Sequence, residues 1–435
     1  MMTSRKWLTS LALGLILALS LGFAAQVGPM EAVDVADYLP DEVILKLLRP
    51  ADLPAVAADH QLDPVPIAQF GSRPIYRLRI LDGALPPDKA AELLSDGRVL
   101  YAEPTYLEQT PEGRQRYSWA RGGSADQYAG QWAASRLCLA KAHAVARGAG
   151  VTVAVLDTGV DPLHPALEGR LLPGYDFVNM DSDPSEEGVY GQNLGYGHGT
   201  HVAGLVAFVA PDALILPVRV LDPDGVGNIW VLAEALLYAV DPDGDPGTDD
   251  GADVINLSLS TFRESDLLGE ILPEVTCGDD DDDDDCPMPV QRGAVVVAAA
   301  GNSGDSVPQY PAAEGLDGLL AVAASTLTDR LALFSSYGDW VHVAAPGSSI
   351  LSSVPGGGYG TWSGTSMAAP LVAGGAALVR EVYSTLSAAE VTAHIMSTAI
   401  DIDEPVSFYR ICPVAAVGLD PTSGCFSLML PLVSR

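Results

Sequence analysis

Six short apolar runs constrain this chain more than any other feature in it. "VTVAVLD" from Val151, "LILPVRVL" from Leu214, "DVINLSLS" from Asp253, "AVVVAAAGN" from Ala294, "LLAVAAS" from Leu319 and "VHVAAPG" from Val341 run on with little polar alternation. A strand with one wet face alternates apolar and polar residues, whereas a strand covered on both faces need not, and such strands belong to parallel sheets. Helical patterns such as "THVAGLVAFVA" and "NIWVLAEALLYAV" lie between the runs. Residues 131–402 are therefore expected to form an α/β domain, a mainly parallel sheet with helices on both faces. In such sheets function gathers at the carboxyl ends of the strands.

The chain upstream reads differently. "MMTSRKWLTSLALGLILALSLGFAAQ" places Arg5 and Lys6 before an apolar run that small residues Ala24 and Ala25 close. That is the layout of a secretory signal peptide over residues 1–25. An uncleaved membrane anchor is the competing reading, because the run is almost long enough to span a bilayer. Export predicts an extracellular protein with no stable membrane insertion once the signal is removed. Residues 31–109 read as a small α+β unit: "EVILKL" and "PIYRLRIL" alternate like half-buried strands, and "LPPDKAAELLSD" starts a helix on a proline. "RVLYAEPTY" returns as a strand. Residues 110–130 lack periodicity and are expected to be a linker, and residues 403–435 a short tail.

Lys and Arg number 23 against 56 Asp and Glu, a formal net charge of −33. This argues against nucleic acid and anionic membrane as natural partners without naming one. Of five cysteines, Cys277 and Cys286 bracket an aspartate run and Cys412 and Cys425 bracket a short loop. Two local disulfides are expected, leaving Cys138 as a buried thiol. None has metal-ligand spacing with histidine, so no zinc site is expected.

Asp157 ends the first apolar run, His198 opens a helix after a glycine in "GHGTHVAG", and Ser366 starts another helix in "GTSMAAP". Each has an ordinary alternative: a turn aspartate, a structural histidine, a serine helix cap. Together they are the parts that activate a hydroxyl, with histidine taking the proton and aspartate fixing its tautomer. Asn302, ending "AAAGN", adds an amide able to donate to an oxyanion.

These segments resemble the subtilisin-like serine proteases, whose Asp, His, Asn and Ser motifs occur in this order, over residues 131–400. The resemblance implies that Asp157 orients, His198 is general base and acid, Ser366 is the nucleophile, and Asn302 with the Ser366 backbone N–H holds the oxyanion. His201 is structural in that family, and His164 lies outside the triad. Residues 31–109 are similar to the family's propeptide, which assists folding and inhibits the enzyme until it is cut, here within the linker. Polypeptide substrates follow, bound as an added strand between Gly225, Val226 and Gly227 on one side and Ser258, Leu259 and Ser260 on the other. Ala300 and Gly301 would also contact substrate, and Gln309 would form the floor of the pocket for the residue before the cut, disfavouring very large side chains. Ser260 stands where the family usually has Gly, which implies a narrower cleft.

The implied chemistry needs no cofactor. The family's tight calcium site is expected to be absent, since Ala166 replaces its aspartate and the usual inserted loop is missing. Calcium remains a candidate ligand for Asp241 to Asp253 or for the run Asp279 to Asp285, both of which also read as solvated acidic loops. The expected product is a secreted monomeric serine endopeptidase made as a self-processing precursor. A catalytically silent binding module on the same scaffold is one alternative, although it would normally have lost a triad residue. An esterase is another, but the Gly-x-Ser-x-Gly elbow is absent around Ser366.

Overall fold

The computed structural model describes residues 37–115, 118–245, 248, 250–277, 292–402 and 408–420. The expected signal segment and the run Asp279 to Asp285 lie outside them. All six apolar runs are strands of one nine-stranded sheet. Its order by residue is Ile400–Ile402, Phe408–Arg410, Val343–Pro346, Leu319–Ser325, Val295–Ala299, Val254–Leu257, Thr152–Asp157, Leu214–Arg219 and Tyr175–Asp176. Every pairing is parallel except that of the first two strands.

Alternate residues of the central strands feed two separate cores. Val153, Val155, Val295 and Val297 face one, packed under the helices His198–Val209 and Thr365–Val382. Ala154, Leu156, Ile255 and Val296 face the other, under Ile229–Val240 and Asp266–Thr276. Burial on both faces is why these strands carry no polar alternation. Among the described residues no helix is long and apolar enough to cross a membrane.

The N-terminal unit is an antiparallel sheet built on the strands Tyr38–Leu47, Ile75–Arg79 and Val99–Gln109. The helices Leu53–Asp59, which has no counterpart in the sequence expectation, and Pro86–Leu93 lie in the same unit. Its own core includes Val43, Leu45, Val56, Leu78 and Leu93. The sheet does not end with the unit. Val99–Gln109 pairs antiparallel with Val226–Asn228 of the larger domain, setting Gln109 opposite Val226 and Glu108 opposite Gly227.

Three expectations need correction. Residues 110–130 are not a bare linker: they contain helices Pro111–Arg114 and Ala125–Ala129, and Ala120–Arg121 pairs with Gly360 and Thr361. The larger domain also does not stop at residue 402. Phe408–Arg410 joins the main sheet beside Val343–Pro346, and helix Pro413–Ala416 buries Val414 in the core. Finally, Cys412 is a free buried thiol rather than a partner of Cys425, and Cys138 is disulfide-bonded rather than left over. Cys412 heads the Pro413–Ala416 helix and turns into the apolar core, which suits an uncharged thiol. Cys277 is disulfide-bonded as well, while Cys286 and Cys425 lie outside the described residues.

Candidate active site

The strand Thr152–Asp157 delivers Asp157 to the carboxyl edge of the sheet, and two helix starts deliver His198 and Ser366 to the same edge. Asp157 Oδ1 lies 2.7 Å from His198 Nδ1 and also accepts the Thr158 backbone N–H at 2.8 Å. The backbone bond fixes the carboxylate, which in turn fixes which imidazole nitrogen faces the cleft. Trp362 packs edge-on against the His198 ring at 5.2 Å. Asn302 is held from its other end: its Oδ1 accepts from the Thr365 N–H at 2.9 Å and hydroxyl at 3.1 Å. Its Nδ2 therefore points into the site. His201 sits apart, bonded to the Gly360 carbonyl at 3.1 Å, and burial pushes its pKa down to about 3.

A residue outside the sequence expectation occupies the centre. Glu112, from the short helix Pro111–Arg114, is buried with its carboxylate between Ser366, His198 and Asn302. Ser366 Oγ donates to Glu112 Oε2 at 2.7 Å, His198 Nε2 lies 3.2 Å from that same oxygen, and Asn302 Nδ2 donates to Oε1 at 2.8 Å. Burial alone would lower the His198 pKa. The charge and hydrogen bond of Asp157, followed by those of Glu112, outweigh burial and lift it to about 10. "TPEG" carries a helix-start signature, with Thr110 capping the Gly113 N–H, but nothing in it announces a place in the cleft.

The two edges expected to bind an extended peptide hold the N-terminal unit's last strand. Gln109 exchanges both backbone hydrogen bonds with Ser260, each 3.0 Å, and the Thr110 N–H donates to the Gly225 carbonyl at 3.0 Å. Gly225 has φ +79°, and a Cβ there would meet the Thr110 hydroxyl at 2.8 Å, so this approach requires glycine. Ser258 lies beside Ser366, its hydroxyl donating to the Ser366 carbonyl at 3.0 Å, whereas Leu259 turns into the core. Ala300 is wholly buried in the sheet, its N–H bonded to Val322. The Gln309 amide lies against Gly301 (a Cβ there would meet it at 2.1 Å) and is fixed by Ser260, Ser303 and Ser336 hydroxyls. A cleft of about 900 Å³ opens beside Trp362, lined also by Gln115, Leu333 and Phe334.

Two further carboxylates are buried where the N-terminal unit meets the larger domain. Glu103 caps the N-terminus of Asp266–Thr276, accepting from the Ser265 hydroxyl and the Asp266 and Leu267 N–H groups at 3.0–3.1 Å. Burial still pushes its pKa up to about 7. Glu108 is fully buried with neither oxygen partnered, and burial pushes its pKa up to about 8. Away from this edge, Asp241, Asp243 and Asp250 bring one oxygen each within 4.8 Å of one another. That set is partly exposed and could take a calcium ion only with added water ligands.

The sequence profile of the subtilase family matches residues 148–419. A thermophilic serine proteinase of Bacillus sp. (strain AK1) is 39% identical over 296 residues, covering 65% of this chain and 63% of that protein. Thermitase of Thermoactinomyces vulgaris is also 39% identical, over 62% of this chain and 88% of its own length. This chain thus spans less than two thirds of the first relative and most of the second. Among solved structures, fervidolysin from Fervidobacterium pennivorans, described as keratinolytic and related to subtilisin, superposes with a TM-score of 0.68 at 24% identity. That superposition covers 88% of this chain and 61% of fervidolysin. It is a likeness of fold, and it extends well beyond the residues that the family profile matches.

Proposed function

The chain belongs to the subtilase family, and from that membership we propose that it is a secreted serine endopeptidase made as a self-processing precursor. In this reading Ser366 Oγ attacks the carbonyl carbon of a peptide bond while His198 Nε2 takes its proton. Asp157 accepts the Nδ1–H bond and stabilises the imidazolium. Asn302 Nδ2 and the Ser366 backbone N–H receive the developing oxyanion. The imidazolium then protonates the departing amine, and water returns Ser366 by the same route in reverse. No cofactor takes part.

One observation carries the reading. Nucleophile, base and amide donor converge on a single buried carboxylate, in the space that a reacting carbonyl would need. Substrate would enter as a strand between Gly225–Gly227 and Ser258–Ser260, the track that Gln109 now occupies. The Gln309 amide closes the pocket beside Gly301, which favours small residues before the cut. The N-terminal unit is the inhibitory propeptide, and the processed enzyme works as a monomer outside the cell.

The test is the full chain beside Ser366→Ala, each followed by intact mass and by digestion of casein. Wild type is expected to lose its N-terminal unit and digest casein, with the alanine form remaining whole and inert. If both forms stay whole and inert with calcium supplied, and removing the N-terminal unit unmasks no activity in wild type, the site is a binding module with no nucleophile at Ser366.

A further inference from the structure

We infer that Glu112 is the chain's own inhibitor, its side-chain carboxylate occupying the position of the reacting carbonyl and keeping the precursor silent until the side chain withdraws. The inference rests on the peptidase reading above and names the residue that regulates that site.

Covering a cleft with a strand is one way to silence it, but the geometry here does more. Both oxygens of Glu112 are used, and each is held by groups assigned to catalysis: Oε2 by Ser366 and His198, Oε1 by Asn302. Among the described residues Glu112 is the sole partner of Asn302 Nδ2. No peptide carbonyl of residues 110–115 reaches that donor, because the chain leaves the extended track at Pro111 and turns into a helix. The turn is secured on both sides. Thr110 caps it, Arg114 donates to the Ser260 carbonyl at 3.1 Å, and the Gln115 amide donates to the Asn302 carbonyl. A Cβ on Gly364 would fall 1.6 Å from Glu112 Oε1, so the carboxylate needs glycine at that position to seat.

The contact disables the chemistry twice. Ser366 spends its hydroxyl hydrogen on Glu112, and His198, set between two carboxylates, holds a proton it would have to be without to act as base. The titratable groups around His198 are Asp157 from the strand, Glu112 from the capping helix, His201 on its own helix and Glu186. Glu186 reaches the site through the Thr158 and Thr200 hydroxyls. Of these, Glu112 alone belongs to the segment that precedes the larger domain.

Full-length wild type, Glu112→Ala and the same-shaped Glu112→Gln would be treated with diisopropyl fluorophosphate across a pH series. Intact mass would read modified and self-processed chains separately. Alanine is expected to raise both modification of the full-length chain and self-processing by at least about tenfold, as loss of charge-assisted bonds to the nucleophile requires. The alkaline rise in rate, near pH 10 in wild type, should move to lower pH in both variants. Glutamine keeps the packing, so it carries the test if the alanine chain folds poorly. Equal rates and one pH profile in all three full-length chains, with processed wild type reacting fast, would overturn the role of Glu112 and leave the peptidase reading intact. No modification of any form at any pH would remove both.

Discussion

The main sheet and the unit that docks on its rim share apolar packing but differ in the charges they bury. The central strands of the larger domain are buried on both faces by aliphatic side chains. The N-terminal unit has its own apolar core. It meets the larger domain through strand pairing on two edges, through Ile44, Phe70 and Ile75 packed into the core under Ile229–Val240, and through ion pairs of Lys46 with Glu270 and Arg73 with Glu274. Three buried carboxylates, Glu103, Glu108 and Glu112, lie at the same junction. Apolar burial is insensitive to pH, whereas a buried carboxylate must either find donors or hold a proton. The attachment of the N-terminal unit therefore carries a pH-sensitive component that the main sheet lacks.

The largest blow to this contrast would come from the rim itself. Asn302→Ala should lower kcat on peptide substrates about 10²–10³-fold, the size known for the equivalent loss in subtilisin, a relative. Circular dichroism should find the main sheet unaffected. In the core, Ile255→Ala should cost about 2–5 kcal/mol, since a wholly buried side chain leaves a cavity. Thermal unfolding would show the whole domain melting earlier.

The docked strand predicts a pH effect of definite sign. Glu103 and Glu108 have pKa values raised to about 7 and about 8 from an ordinary 4.5, so the docked state holds protons that a released unit would give up. Docking should be strongest below about pH 4.5 and weaken as pH rises through 7 and 8. Size-exclusion chromatography of the cleaved complex checks this: retention at high pH and release at low pH would reverse the argument. Glu108→Leu should then tighten retention at pH 9 by about tenfold or more and flatten the dependence, because an unpartnered carboxylate is exchanged for an apolar group. The smallest effect belongs to Glu103→Gln. It still caps Asp266–Thr276 but should weaken docking by about 1 kcal/mol, readable by calorimetry of the cleaved complex.

How legible these features are in the sequence follows the same division. The sheet can be read because strands covered on both faces leave unbroken apolar runs. The four groups at its rim can be read because each sits in a short glycine-flanked turn. Helix Asp266–Thr276 shows its face in Leu267, Leu268, Ile271, Leu272 and Val275, yet Gly269 and Pro273 obscure it as a helix. Glu112 is out of reach of local reading: its importance depends on how Val99–Gln109 registers against an edge more than a hundred residues away. The Cys412 thiol and the strand Phe408–Arg410 are hidden for a similar reason, since a short segment that completes a distant sheet has no period of its own.

The short edge Val226–Asn228 has a consequence for the molecule in bulk. Were the docked strand to leave, as the proposed processing requires, that edge would be bare, and a bare edge is a template for the edge of another copy. The vacancy is only three residues long with Gly227 at its middle, which gives a neighbouring copy little to grip. Beside it stand Asp222 and Asp224, on a chain whose net charge is −33. Two such edges approach each other against strong repulsion. In a processed form the acidity that names no substrate would thus act as a colloidal stabiliser, keeping open-edged molecules dispersed.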